Sequence, residues 1–346
     1  MSDATTVVGY DAADEFSGPQ SALRRLQAAL HTYPWLSPMF VLVIAIAAFA
    51  TLPKNGHLFS QLSNLGVITQ QTAITGTLAI GQTLIILTAG IDLSCGAIMV
   101  FTQMVMAKAA FDQGIPAIPA LLLGLLVGLL AGLINGFLVT KVKLPPFIVT
   151  LGTFLVFQAF TLLYATGRAI STNELATELK WLGHRINIGE FGITTGVLLM
   201  LALYGLFAYI LRYTAWGTHV YAVGDDPDAA RLAGIQSSKV VLSVYVVAGL
   251  IFGLAGWLLI GRVGNASPNS GVDANLDSIT AVVIGGTSLF GGRGRVIGSL
   301  VGALIVGVVD NGLSVSNIDQ AYKNLFIGLL IIGAVTADQW IRKARS

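Results

Sequence analysis

The sequence has a single cysteine, Cys95, few charged residues and no nucleotide-binding motif. One cysteine excludes an internal disulfide, and the four histidines are far apart, without metal-ligand spacing. The glycine-rich run Ile284–Gly298 lacks the Lys-Ser/Thr ending of a phosphate loop, which excludes nucleotide hydrolysis by that route. No nucleophile, base and orienting group occur together in a recognisable pattern. We therefore predict no catalytic residue, no metal site and no cofactor bound by this chain.

Charge is scarce and apolar residues are abundant. Charged residues make up 10% of the 346 residues, hydrophobic residues make up 55%, and the mean hydropathy is +0.79. This balance is typical of a polytopic membrane protein and excludes an ordinary soluble domain. The N-terminal region also lacks the basic start, apolar core and small-residue cleavage site of a signal peptide. We predict a cytoplasmic N-terminal tail over 1–37, with a surface helix around Ser21–Leu30, and a cytoplasmic C-terminal tail over 338–346.

Ten long apolar runs predict an all-α transmembrane domain over residues 38–337. Spans two and three are joined almost without a loop at Gly90, Ile91 and Asp92, which indicates a break within the membrane. The predicted spans are Pro38–Leu52, Leu65–Ala89, Ile91–Ala110, Ile118–Thr140, Pro145–Ala165, Ile193–Leu211, Val240–Ile260, Leu276–Phe290, Val296–Gly312 and Leu325–Ala337.

Lysine and arginine are distributed unevenly between the predicted loops. If the N-terminus is cytoplasmic, Arg212, Lys239, Arg293 and Arg295 fall on the same side as Arg24. Because basic residues are enriched in cytoplasmic loops, this bias predicts an inner-membrane protein with both termini in the cytoplasm and an even number of spans.

Spans two to five and seven to ten are predicted to form an inverted repeat, a layout common among transporters. Span four has glycine at every fourth position and ends in Asn135-Gly136, and span nine has a similar glycine row and ends in Asn311-Gly312. Such rows also let helix backbones approach closely in lipid. The predicted helix-packing residues are Gly124, Gly128, Gly132, Gly298 and Gly302.

Polar side chains within the spans are candidates for a transport path, because they are costly in lipid and tend to face the bundle interior. Neutral amides and hydroxyls in span two suit a polyol better than an ion. The acids within or near the spans, Asp92, Asp277 and Asp310, have the alternative role of capping a helix or pairing with a cation. No chain of Asp, Glu and His crosses the bilayer, as a proton-driven carrier often requires. The path candidates are Gln70, Gln71, Thr75, Gln82, Asp92, Ser94, Asn135, Thr150, Asp277 and Asn311.

The polar stretch Val223–Ser238 predicts a short cytoplasmic helix that docks on another protein. Asp226 is a good N-cap, Pro227 suits the first helical position, and Gly234 can end the helix in a left-handed conformation. A small apolar side flanked by charges suits a cleft in a partner, and a plain connector turn is the alternative. The predicted coupling residues are Gly224, Asp226, Asp228, Ala229, Ala230, Arg231, Leu232 and Gly234.

Four ordered motifs then identify a resemblance that covers the chain from about Pro38 onward. They are GIDLSCG (Gly90–Gly96), NGFLVTKVKLPPFIVTLGTF (Asn135–Phe154), AVGDDPDAARLAGI (Ala222–Ile235) and LDSITAVVIGGTSLFGGRGRVIGSLVGALIVG (Leu276–Gly307). The chain resembles the permease subunits of bacterial ATP-binding-cassette importers for monosaccharides such as ribose, xylose, galactose and fructose. It departs from their usual pattern at Cys95 and Ala97, and at the acidic pair of residues 225 and 226.

The resemblance implies a homodimer in the lipid bilayer that works with two kinds of partner. One is a cytosolic ATPase subunit with two nucleotide-binding halves, which would hold ATP and Mg²⁺. The other is a periplasmic or lipid-anchored sugar-binding protein, and no nucleic acid is implied. The positions matching Gly224, Ala229, Ala230 and Gly234 lie in the family's loop toward the ATPase. The alternatives are a branched-chain amino-acid permease of the same importer class and an ion-coupled secondary carrier.

Overall fold

The computed structural model describes residues 36–52, 55–171, 174–271 and 273–319, together with separate helical residues between 321 and 336. The predicted N-terminal tail, with its surface helix, and the predicted C-terminal tail lie outside the described residues. So does part of the predicted tenth span, Leu325–Ala337.

The described residues form helices joined by short connections, with one small β-hairpin. A 3-10 turn, Trp181–Gly183, precedes the hairpin. In chain order the elements are α1 (Leu36–Ala50), α2 (Gly56–Phe59), α3 (Leu62–Leu87), α4 (Cys95–Phe111), α5 (Ala117–Thr140), α6 (Pro146–Ala165), β1 (Arg185–Ile188), β2 (Phe191–Thr194), α7 (Thr195–Tyr213), α8 (Ala215–Asp225), α9 (Pro227–Leu232), α10 (Ser237–Val263), α11 (Ala274–Ile284) and α12 (Val296–Val315).

Within the described ranges, five helices are long and apolar enough to cross a membrane, namely α5, α6, α7, α10 and α12. Helix α3 has 26 residues but is not one of these five, because glutamines and threonines interrupt its apolar sequence. Seventeen of its residues are nevertheless buried, so its polar groups face protein. The prediction of an all-α polytopic membrane protein is confirmed.

Helix α10 lies at the centre of the bundle and packs on α3, α4 and α5. Its contact with α5 is a backbone contact: a Cβ added to Gly128 would lie 2.6 Å from Gly249 O and 3.2 Å from Gly253 Cα. In the other half of the chain, a Cβ on Gly302 would lie 2.8 Å from the carbonyl carbon of Ala281 in α11. Both glycine rows therefore face neighbouring helices, which allows the close approach that glycine permits.

Two helix boundaries differ clearly from those that hydropathy predicts, and one hairpin is absent from the prediction. Helix α4 begins at Cys95 rather than Ile91, because Asp92 Oδ1 accepts a hydrogen bond from Ser94 N at 2.6 Å and holds the preceding residues in a turn. Helix α11 ends at Ile284 rather than Phe290, where Gly286 takes a φ of +86°. The strands β1 and β2, which turn through Gly189 at φ +64°, were not predicted.

Candidate translocation site and coupling region

A cavity of about 550 Å³ lies between α3, α4, α10, α11 and α12. The cavity lies at the C-terminal end of the 27-residue helix α10, whereas α9 precedes the N-terminal end of α10. The cavity and α9 are therefore separated by about 40 Å along that helix. The polar side chains in its wall are Gln71, Thr75, Arg262, Ser270, Asp273, Asp277 and Asp310.

The lining of this cavity can both donate and accept hydrogen bonds. Its carboxylates accept, the Arg262 guanidinium donates, and Thr75 does both. The side-chain oxygen of Gln71 is buried without a hydrogen-bond partner among the described residues, which makes it an available acceptor at the wall. The volume falls within the range of about 300–1,000 Å³ typical of small-molecule sites. The cavity can therefore hold a small polar molecule.

A second group of polar side chains surrounds the break between α3 and α4. Asp92 Oδ1 accepts hydrogen bonds from Ser94 N and Ser94 Oγ, each at 2.6 Å. Asn135 Nδ2 in α5 donates to Ser94 Oγ at 2.8 Å. All three residues are at most 1% exposed. This network holds the non-helical backbone of the break inside the protein. Such backbone needs partners from the protein itself, because lipid tails cannot form hydrogen bonds with it.

The backbone carbonyls of the break also have side-chain donors. Gln82 Nε2 donates to Asp92 O at 2.7 Å, and Thr150 Oγ1 donates to Ile91 O at 3.0 Å. Asn275 Nδ2, in α11, donates to Leu93 O at 3.3 Å. Since α11 also carries Asp277 into the cavity wall, α11 connects the break to the cavity.

The predicted path residues thus fall into four places. Gln71, Thr75 and Asp277 line the cavity, whereas Gln82, Asp92, Ser94, Asn135 and Thr150 form the buried network around the break. Gln70 Nε2 lies 3.5 Å from Gly192 O in the hairpin. Asn311 is buried and exchanges hydrogen bonds with Asn64 at 2.8 and 3.1 Å, which joins α12 to α3.

Sequence reasoning did not select four polar residues of the cavity wall as path residues, nor Asn275 at the break; the four are Arg262, Ser270, Asp273 and Asp310. The spacing of Asp273 and Asp277 gave a usable signal, because residues four apart lie on the same side of a helix. Arg262 is in the last turn of α10, so it reaches the cavity from the end of that helix. Nothing in the sequence pairs Asn275 with Leu93, which is 182 positions away.

The predicted start and stop of the short polar helix are confirmed. Asp226 Oδ1 accepts from Asp228 N at 2.9 Å and from Ala229 N at 3.0 Å, Pro227 occupies the first helical position, and Gly234 has a φ of +85°. Residues 223–225 of the predicted stretch belong instead to the end of α8.

The apolar side predicted for this helix is divided between the protein and the solvent. Ala230 is 4% exposed and belongs to the main apolar core, whereas Leu232 is 88% exposed. The structure therefore contradicts the prediction that Ala230 is part of a docking side open to a partner. The chain folds back after α9, with Ser237 Oγ donating to Pro227 O at 3.2 Å, and this presses Ala230 against the bundle. Arg231 and Asp228 form an exposed ion pair at 3.4 Å.

The end of α8 crosses the end of α3 in backbone contact. A Cβ on Gly224 would lie 2.8 Å from the carbonyl carbon of Leu87 and 2.7 Å from Gly292 N. Gly292 N itself donates to Leu87 O at 3.0 Å. We call this contact of Gly224, Leu87 and Gly292 the glycine crossing. It joins the coupling region, which consists of α9 and the end of α8, to α3, the helix that leads into the break.

A side-chain hydrogen bond supports the same junction. Tyr221 OH in α8 donates to Gly294 O at 2.9 Å, in the loop before α12. Burial raises the pKa of Tyr221 above its ordinary value, and the positive charge of Arg295 partly opposes that shift. The hydroxyl therefore stays protonated and able to donate at physiological pH.

Comparison with known proteins finds transport permeases, both in the matching family and among the individual relatives. The sequence profile of a family described as "Branched-chain amino acid transport system / permease component" matches residues 64–335. A fructose import permease of Rhizobium meliloti is 48% identical over 98% of this chain and 93% of its own. A ribose import permease of Bacillus subtilis (strain 168) is 39% identical (87% and 90%), and a D-allose transport system permease of Escherichia coli (strain K12) is 33% identical (88% and 91%). No solved structure matches the chain.

Proposed function

The chain belongs to the family of branched-chain amino acid transport system permease components, and we propose that it is the membrane permease of an ATP-binding-cassette importer for a monosaccharide. The relatives named above carry fructose, ribose and allose in their names, and each is matched along nearly its whole length. Identity of 48% over 98% of the chain is more specific than a match to a broad family profile, so it supports a sugar over an amino acid.

The observation that carries the proposal is the polar cavity of about 550 Å³ between α3, α4, α10, α11 and α12. A monosaccharide presents several hydroxyl groups, and each can donate to a carboxylate such as Asp277 or accept from Arg262. The sugar would pass from this cavity toward the break, whose backbone is held by side chains from α3, α5, α6 and α11. A rearrangement of the break would then open or close the route to the other side.

The coupling region supports the proposal that another protein supplies the energy for transport. We propose that the exposed surface of α9 and its flanks, with Asp225, Asp226, Asp228, Arg231 and Leu232, docks on a cytosolic ATPase. That subunit, with two nucleotide-binding halves, would hydrolyse ATP with Mg²⁺. Movement of α9 and α8 would reach α3 through the glycine crossing, because packed backbones without intervening side chains move together.

The same proposal includes a complex of this chain with a second copy of itself and with a sugar-binding protein. A second copy of the chain would complete the pathway across the inner membrane, and a periplasmic or lipid-anchored sugar-binding protein would deliver substrate to the cavity side. The bias of Lys and Arg supports both termini in the cytoplasm, on the side of α9.

A branched-chain amino-acid permease is the second candidate, because of one observation in the cavity. Arg262 lies in the same wall as Asp273 and Asp277, and opposite charges suit the carboxylate and ammonium groups of a zwitterion. The names of the close relatives favour the sugar.

Uptake into vesicles that contain the chain, its ATPase and its binding protein tests the proposal, with labelled fructose, ribose, allose and leucine as substrates. We expect uptake of a sugar, and we expect Asp277→Asn to reduce it about tenfold, because hydrogen bonds to charged groups are the stronger ones. The control Glu190→Gln removes a carboxylate from the exposed turn of the hairpin and should transport normally. Uptake of leucine alone would establish the second candidate, and normal uptake by Asp277→Asn would place the path elsewhere.

A further inference from the structure

A separate cavity of about 580 Å³ lies between α7, α8 and the start of α12, at the end of the bundle that carries α9. We call the polar cavity between α3, α4, α10, α11 and α12 the translocation cavity. The cavity next to α8 is far from it and shares no residue with it. Its wall consists of Ala208, Tyr209, Leu211, Arg212, Tyr213, Tyr221, Arg295, Val296 and Ile297.

Two exposed arginines give the mouth of this cavity a positive charge. Within the described part of the chain, neither Arg212 nor Arg295 forms an ion pair with a carboxylate. The Arg212 guanidinium lies over the Tyr213 ring, 5.3 Å from its centroid. Arg295 is also the N-cap of α12, so the positive end of that helix's dipole adds to the positive potential. The mouth is therefore complementary to an anion.

The rest of the wall consists of aromatic and aliphatic side chains, several of which are exposed. Tyr209, Tyr213 and Ile297 are 61%, 65% and 55% exposed on α7 and α12, two helices that are long and apolar enough to span a bilayer. Ala208 lies one helical turn below Arg212, which puts the apolar wall about 5 Å deeper than the guanidinium. Arginine and tyrosine together at a helix end are typical of the headgroup level of a membrane.

We propose that this cavity binds an anionic phospholipid of the leaflet on the α9 side, with Arg212 and Arg295 holding its phosphate and the apolar wall holding the start of an acyl chain. Neither a soluble anion nor a purely apolar ligand would use both parts of the wall. Basic pockets between transmembrane helices on the cytoplasmic side are suited to such headgroups.

Bound lipid would also support the coupling region. Tyr221 contributes its ring to the cavity wall and its hydroxyl to the hydrogen bond with Gly294. A lipid lodged against Tyr221 would hold α8 on the loop before α12, next to the glycine crossing. The site thus offers a means by which membrane composition affects transmission from α9 to α3.

Native mass spectrometry of the purified chain, titrated with phosphatidylglycerol and with phosphatidylcholine, tests the proposal. We expect phosphatidylglycerol to bind more tightly, and Arg212→Gln and Arg295→Gln each to weaken it about fivefold, because one basic residue near the membrane surface contributes about that factor. The matched control Arg293→Gln removes an exposed arginine of the same loop that does not line the cavity, and its binding should be unchanged. Ala208→Phe should weaken binding with both charges intact, because it fills the apolar wall.

Four results would overturn the proposal. They are equal binding of the two lipids by the parent chain, unchanged phosphatidylglycerol binding in the double variant Arg212→Gln/Arg295→Gln, an equal loss in Arg293→Gln, and displacement of the lipid by inorganic phosphate. If the double variant binds lipid normally but no longer co-purifies with the ATPase, this surface is part of the motor interface instead. None of these outcomes depends on the identity of the transported substrate.

Discussion

At the scale of single residues, Ser94 joins the break between α3 and α4 to helix α5. Its backbone N–H and its hydroxyl both donate to Asp92, and the hydroxyl accepts from Asn135. Three residues, Asp92, Ser94 and Asn135, therefore meet at one buried oxygen atom, Ser94 Oγ. A polar group left unsatisfied in such a place costs more than an exposed one, because no water replaces the lost partner.

We predict that Ser94→Ala lowers the free energy of unfolding by about 1–3 kcal/mol, since it leaves the Asn135 amide without its acceptor and removes one donor to Asp92. Thermal unfolding in detergent, read as loss of monodisperse protein, measures the effect. Ser63→Ala changes an exposed serine in the first turn of α3 and should leave the melting temperature unchanged. An unaltered melting temperature in Ser94→Ala would show that the network contributes nothing to stability.

At the scale of elements, close contact between α5 and α10 depends on glycine. Gly128, Gly132 and Gly249 allow the two backbones to touch, and no larger residue fits between them. We predict that Gly128→Leu separates the helices and costs about 1–3 kcal/mol by overpacking, which would lower the yield of folded protein.

Gly152, in α6, provides a matched control for this substitution. A Cβ added there meets nothing within 4 Å, so Gly152→Leu should be produced at the level of the parent. The comparison is made by size-exclusion chromatography of the two variants, purified side by side. Equal yields of both variants would mean that the α5–α10 contact tolerates a large side chain.

The division of α9 between core and solvent leads to opposite expectations for two neighbouring positions. Ala230→Glu places a charge in the core and should reduce folded protein, because a buried unpaired charge is strongly destabilising. Leu232→Glu changes a side chain that is 88% exposed, so the chain should fold normally but lose co-purification with the ATPase. Gln236→Glu, an exposed change of the same charge beyond the helix, should affect neither.

The effects of Ala230→Glu and Leu232→Glu are measured as the yield of folded protein and as the amount of protein captured in a pull-down with a tagged ATPase. A Leu232→Glu variant that still captures the ATPase and transports sugar at the parental rate would reduce α9 to a connector. The docking surface would then have to be sought in the loop of Arg293 and Arg295.

Elements that depend on neighbouring residues were predictable, and elements that depend on distant contacts were not. The cap at Asp226 and the stop at Gly234 are local, so the sequence predicts both correctly. The pairing of Asn64 with Asn311 spans 247 positions, and only the packing of α3 on α12 creates it. Likewise, helical periodicity cannot show that Ala230 is buried, because the fold-back of the chain after α9 decides which side faces the bundle.

At the scale of the whole molecule, α3 and α11 link the three functional regions. Helix α3 lines the translocation cavity with Gln71, enters the break after Leu87, and meets the coupling region at the glycine crossing. Helix α11 contributes Asp277 to the cavity and Asn275 to the break. A displacement at one end of the bundle can therefore reach the other end through packed elements.

This arrangement requires the cavity and α9 to face opposite compartments, and cysteine labelling can test the orientation directly. The native Cys95 is fully buried, so a new exposed cysteine should be the one labelled in intact cells. We predict that Asp226→Cys reacts with a membrane-impermeant maleimide only after the membrane is opened, whereas Glu190→Cys, in the turn between β1 and β2, reacts in intact cells. The reason is the excess of Lys and Arg on the side of α9, which favours the cytoplasm. Labelling of Asp226→Cys in intact cells would reverse the orientation, and it would then place the proposed motor contact on the wrong side of the membrane for any cytosolic ATPase.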